Sequence, residues 1–144
     1  MKTLIIYTYP NHKSLNFAFL QEVMKGCNEN PYISELQVLD LYEENFDPIL
    51  QFNEHKRRRD MYRDPKLAKY RDQLTWADKI VFVYPIWWGR PPAMLLGYID
   101  QLFAANFAYR DKKRTTTGGA AKRKISRLYI DDEGPYKIST VMAK

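Results

Sequence analysis

Apolar residues gather into short unbroken runs separated by amphipathic stretches. Leu4-Ile5-Ile6-Tyr7 and Ile80-Val81-Phe82-Val83-Tyr84 are continuous and rich in branched and aromatic side chains. Runs of this kind read as strands buried in a sheet interior. The spacing predicts a first strand over 2–8, a second over 36–41 and a central one over 80–84. Between the first two, Leu15, Phe19, Val23 and Cys27 recur at every fourth position, with Leu20 and Met24 beside them. That is one apolar helix stripe, ended by Gly26, Asn28, Asn30 and Pro31. Residues 54–77 read as mostly helical, with a break near Asp64-Pro65. From Ala93 to Phe103, Leu95, Ile99, Leu102 and Phe103 share a stripe. Residues 125–130 read as a weaker fourth strand, interrupted by Ser126 and Arg127. Strands alternating with helices imply a parallel sheet with right-handed crossovers.

Two loops carry the candidate chemistry. Tyr9-Pro10-Asn11-His12-Lys13 joins the first strand to the first helix, and Ser14 stands where a helix N-cap belongs. A helix N-terminus offers unpaired N–H groups and partial positive charge, so it can hold an anion. Ser14 and Asn16 can add side-chain hydrogen bonds, and His12, near in sequence, is a candidate donor to the same anion. The plain alternative for Ser14 is a cap and nothing more, and for His12 an exposed loop residue. The loop has no glycine, so neither a dinucleotide-binding glycine pattern nor a P-loop is present. Asp40, at the end of the second strand, reads as a turn or capping residue. The second loop, Pro85-Ile86-Trp87-Trp88-Gly89-Arg90-Pro91-Pro92, follows the central strand. Loops at the carboxyl ends of such strands are where ligands bind. Adjacent tryptophans there call for a flat ligand to cover them.

Composition narrows the partners. The chain has 144 residues, 45% of them hydrophobic, which suits a single domain over 1–144. No apolar run approaches the ~20 residues of a membrane helix, and no secretory h-region is read at the start. One cysteine, Cys27, forms no internal disulfide and fits a reducing cytoplasm. The net charge of +6 favours anionic partners. Its clusters, Lys56-Arg57-Arg58-Arg59 and the basic stretch over 110–127, read as solvated faces; no nucleic-acid-binding motif accompanies them.

With both loops in view, the sequence resembles the flavodoxin-like NAD(P)H:quinone oxidoreductases, especially the short bacterial NAD(P)H dehydrogenases. The residues that carry the likeness are Leu4–Pro10 with Ser14–Ala18, Asp40-Leu41-Tyr42 with Phe46-Asp47-Pro48, and above all Phe82–Ala93 through Gly97 and Asp100, with Phe107-Ala108-Tyr109 after them. The resemblance implies a flavodoxin-like three-layer α/β sandwich with sheet order 2-1-3-4(-5), the fifth strand being absent from this chain. It implies a flavin, with FMN favoured and FAD left open, its phosphate among Ser14, Leu15 and Asn16. Its ring would lie along Pro85, Ile86, Trp87, Trp88 and Gly89. Asp132, Glu133 and Gly134, taken as the turn after the fourth strand, would reach the ring's pyrimidine side, although three acids over 131–133 oppose charge on a reduced ring. Tyr109 and Tyr136 are possible acceptor contacts. No side chain need act as a nucleophile, and no metal is expected. Relatives often carry histidine where this chain has Tyr9; here a histidine comes later, as His12.

The expected activity is two-electron transfer from NAD(P)H through the flavin to a quinone or similar acceptor, in a cytoplasmic homodimer that neither spans a membrane nor binds nucleic acid. The rival from another class is a non-catalytic ancillary subunit of a membrane transport system on the same fold. A one-electron carrier suits the basic charge less well.

Overall fold

The computed structural model describes residues 1–104, 107–108 and 138–143. Its strands are β1 (Lys2–Tyr7), β2 (Glu35–Asp40), β3 (Lys79–Pro85) and β4 (Ile138–Ala143). They pair in the order β2-β1-β3-β4, every pair parallel. The expected order is therefore found, and no fifth strand joins the sheet among the described residues. β1 is covered on both faces, which is why its run is continuously apolar: Leu4, Ile5, Ile6 and Tyr7 are all fully buried.

The pleat sends alternate side chains to opposite layers. Leu4, Ile6, Ile80 and Phe82 pack with Leu74 of α2 (Ala68–Trp76) and with Leu95, Tyr98 and Leu102 of α3 (Ala93–Leu102). Ile5, Tyr7, Val81 and Val83 pack with Leu20 of α1 (Leu15–Glu29), beside Phe17, Val23 and Cys27. Each such buried aliphatic chain contributes about 1.5–3 kcal/mol. α1 runs through Gly26 and stops at Asn30, just before Pro31. No helix among the described residues is long and apolar enough to cross a membrane.

Two expectations change. The stretch over 54–77 is not one helix. It consists of two 3-10 turns, Arg58–Arg63 and Pro65–Leu67, followed by α2. The break falls at Asp64, whose side chain accepts from Lys66 N at 3.0 Å while Pro65 fixes the next turn. The strand that pairs with β3 is 138–143, whereas 125–130 was expected and lies outside the described residues. Residues 138–143 contain Ile138, Thr140 and Val141, β-branched types that favour strands. Asp132, Glu133, Gly134 and Tyr136 thus precede β4 in the chain and are not the turn after the fourth strand. They and Tyr109 lie outside the described residues.

The chain leaving β2 is held against α3 at one narrow point. A Cβ on Gly97 would overlap the backbone of Pro48, so only glycine admits this approach. Gln101 Nε2 donates to the Asp47 carbonyl at 2.7 Å, and Phe46 meets Tyr98 edge-on with ring centroids 5.4 Å apart. Gly97→Ala is expected to lower the unfolding free energy by about 2 kcal/mol, the scale of forced overpacking. A denaturant titration checks this; an unchanged midpoint would contradict the close contact.

Candidate functional site

The site begins with strand pairing. β1 and β3 are parallel neighbours with Tyr7 opposite Val83, and Thr8 N donates to Val83 O at 3.0 Å. The loops after both strands therefore leave the same edge side by side. On the far side of β1 lies β2, so the strand order reverses here. In doubly wound sheets that reversal opens the crevice that ligands occupy.

The first loop is shaped by its own side chains. Asn11 Oδ1 accepts from Lys13 N at 2.8 Å. The Ser14 hydroxyl donates to Asn11 O at 2.6 Å and accepts from Phe17 N at 3.2 Å, so Ser14 is the N-cap. With Phe17 N capped and Ala18 N bonded to Ser14 O, the Leu15 and Asn16 N–H groups are the helix donors that no helical carbonyl can reach. Nearby polar atoms are also left over. Tyr7 Oη, Thr8 Oγ1 and Asn16 Oδ1 are buried with no hydrogen-bond partner among the described residues. Burial pushes the Tyr7 phenol up; the Ser14 side chain offsets this in part, and Asp40 adds to it. Ser14 thus lies near the phenol without making a well-formed hydrogen bond to it.

His12 is not a free donor. Its Nε2 is 2.7 Å from Asp40 Oδ2, and its Nδ1 is 3.4 Å from Glu43 Oε1. The ring also packs on Phe17, centroids 4.9 Å apart. Asp40 is mostly buried, and its Oδ1 accepts from Tyr42 N and Glu43 N at 2.9 and 3.2 Å, which is the turn role its position suggests. His12, Asp40 and Glu43 place possible metal-ligand atoms within 4.8 Å of one another. The two acids face different ring nitrogens, however, which is a hydrogen-bonding arrangement and not three donors converging on a point.

The second loop is a tight turn. Trp87 and Arg90 exchange both backbone hydrogen bonds, at 3.0 and 3.1 Å. The central residues, Trp88 and Gly89, have φ of +54° and +72°. Positive φ at both is the mark of a type I′ turn, which favours Asn-Gly. Here a tryptophan takes the first place, at a cost of about 1–2 kcal/mol. It recovers nothing by burial, for Trp88 is 98% exposed. Trp87 is 44% exposed and meets Tyr9 of the first loop, ring centroids 6.1 Å apart. Pro85 is buried and Ile86 half-buried. The structure thus brings the loop that leads to Ser14 against the tryptophan turn through Tyr9. Sequence reasoning missed Tyr9 as that link, and missed Asp40 as the acceptor for His12. An acid closing a strand ahead of a turn was the available signal for Asp40.

A sequence model described as the flavodoxin-like fold matches residues 1–138. The chain belongs to this flavodoxin-like family. Within the family it is similar to an uncharacterized NAD(P)H oxidoreductase of Haemophilus influenzae, 33% identical over 119 residues, covering 82% of this chain and 58% of that protein. It is also similar to the FMN-dependent NADH:quinone oxidoreductase 1 of Bacillus licheniformis, 27% identical, covering 81% of this chain and 61% of that one. The crystal structure of Smu.1420 from Streptococcus mutans shares 48% identity and superposes with a TM-score of 0.70, over 75% of this chain and 56% of that chain. This chain therefore spans somewhat more than half of each of these relatives.

The strained, exposed indole leads to an expected trade of stability against binding. Trp88→Asn suits the turn better and is expected to raise the unfolding free energy by about 1 kcal/mol. Chemical denaturation without added ligand measures it. A loss of stability would contradict the reading of Trp88 as strained and unpacked.

Proposed function

We propose that this flavodoxin-like chain holds the flavin of an NAD(P)H:acceptor oxidoreductase, with FMN as cofactor and a quinone-like molecule as acceptor. The observation that carries the reading is Trp88, held in a costly turn conformation and almost wholly exposed at the carboxyl edge of β3. Strain kept at an exposed site points to a function outside stability. The donor set fits the cofactor. Leu15 and Asn16 N–H, with the Ser14 hydroxyl and the helix dipole, suit a phosphate. The Thr8 and Tyr7 hydroxyls, without partners among the described residues, belong to the end of β1 at the same edge. The indoles of Trp87 and Trp88 suit a planar ring. The B. licheniformis relative, named FMN-dependent and quinone-reducing, supports the same choice.

When bound, a flavin takes hydride from a nicotinamide and passes electrons to the acceptor. The chain's own residues bind and orient. The first turn of α1 would hold the phosphate, and the Trp87–Arg90 turn would hold the ring. Trp88 offers a face on which a planar substrate can stack. Tyr109 is a proposed acceptor contact. We also propose a homodimer, in which a second copy closes over exposed apolar side chains such as Trp88 and Leu96, and a cytoplasmic setting in keeping with the lone cysteine.

Two measurements on the purified chain test this. Adding FMN is expected to give a perturbed visible flavin spectrum with saturable binding, and multiple turnovers of NAD(P)H oxidation are expected when a small quinone is supplied. A chain shown to be folded by circular dichroism that binds neither FMN nor FAD would overturn the proposal. Flavin binding without NAD(P)H oxidation would favour the ancillary-subunit reading instead.

A further inference from the structure

The anion cradle at α1 has a carboxylate for a neighbour, and the structure shows how that charge is occupied. An ionised carboxylate only accepts hydrogen bonds, so at 2.7 Å from Asp40 Oδ2 the His12 Nε2 carries the hydrogen. Asp40 then has three donors: Tyr42 N, Glu43 N and His12. The acid stands beside the cap's strand, since Asp40 is opposite Tyr7 across β2 and β1, and the His12 ring that engages it lies against Tyr7 and Phe17. His12 stands two positions before Ser14, and its ring rests on Phe17, whose N–H is the one Ser14 caps. A single side chain thus ties the loop between β1 and α1 to the end of β2, 28 positions away in sequence.

We infer that His12 is a positioning residue for the anion cradle: by engaging Asp40 it fixes the loop leading to Ser14 and keeps that carboxylate from facing a bound phosphate. The inference rests on the reading that α1 holds a flavin phosphate. It adds that the cradle depends on a charge pair outside it. Without His12, Asp40 keeps its turn bonds but exposes Oδ2 toward the anion, and like charges then oppose binding. The effect belongs to the phosphate and not to the ring, so it is absent for riboflavin, which has the same ring without the phosphate.

Binding of FMN and of riboflavin to the wild-type chain, His12→Leu, Asp40→Asn and the double variant provides the test, by fluorescence titration at one fixed pH. Leucine keeps the packing on Phe17, and thermal melts confirm that each variant is folded. His12→Leu is expected to weaken FMN roughly tenfold, the order of one charge-assisted hydrogen bond, and to leave riboflavin unchanged. Adding Asp40→Asn to His12→Leu is expected to restore most of the FMN affinity, because the exposed charge is gone. A role in folding alone predicts the opposite, with the double variant weakest and both ligands affected alike. Equal losses for the two ligands, no loss in His12→Leu, or no recovery in the double variant would each overturn the inference while the functional reading stands. A folded wild-type chain that binds neither ligand would overturn the functional reading, and this inference with it.

Discussion

The parallel pairing of β1 with β3 is the constraint from which the rest follows. It puts Tyr7 opposite Val83 and bonds Thr8 N to Val83 O, so two loops far apart in sequence leave the sheet from one edge. Without that pairing, the donors at the start of α1 and the indoles after β3 are unrelated surface features. With it they stand at one sheet edge, joined by the Tyr9–Trp87 contact. Burial of β1 on both faces makes the pairing firm, since a slip of one residue would carry Leu4 and Ile6 to the wrong layer.

On this frame the molecule places features that stability alone does not favour. Trp88 occupies a turn position suited to asparagine and stands in solvent. Hydroxyls of Tyr7 and Thr8 are buried without partners among the described residues. The first helix opens with bare N–H groups. Each is a small loss by itself. Their gathering at one sheet edge is the physical argument for a ligand that is planar at one end and anionic at the other. Beside this edge His12 pairs with Asp40, so the carboxylate is occupied by the loop it helps to shape.

Much of this was legible in the residues. The apolar runs that became β1 and β3, the stripe of α1 with Ser14 at its head, and the break at Asp64-Pro65 are local signals, and the structure keeps them. What escaped was set by distance or by backbone conformation. Residues 125–130 and 138–143 have similar strand character, and only pairing with β3 distinguishes them. Trp-Gly is not a turn pair that sequence rules mark, so the positive φ of Trp88 could not be foreseen. His12 meets Asp40 across two loops, and Gly97 admits Pro48 across two elements. Neither contact leaves a trace in either segment alone.

The central claim is that the two loops form one site. An amide-resolved NMR titration of the nitrogen-15-labelled chain with FMN tests it most directly. The account predicts that Leu15, Asn16 and Phe17 shift together with Trp88, Gly89 and the Trp88 indole, along one saturation curve. Shifts confined to one loop, or two curves with separate midpoints, would contradict it.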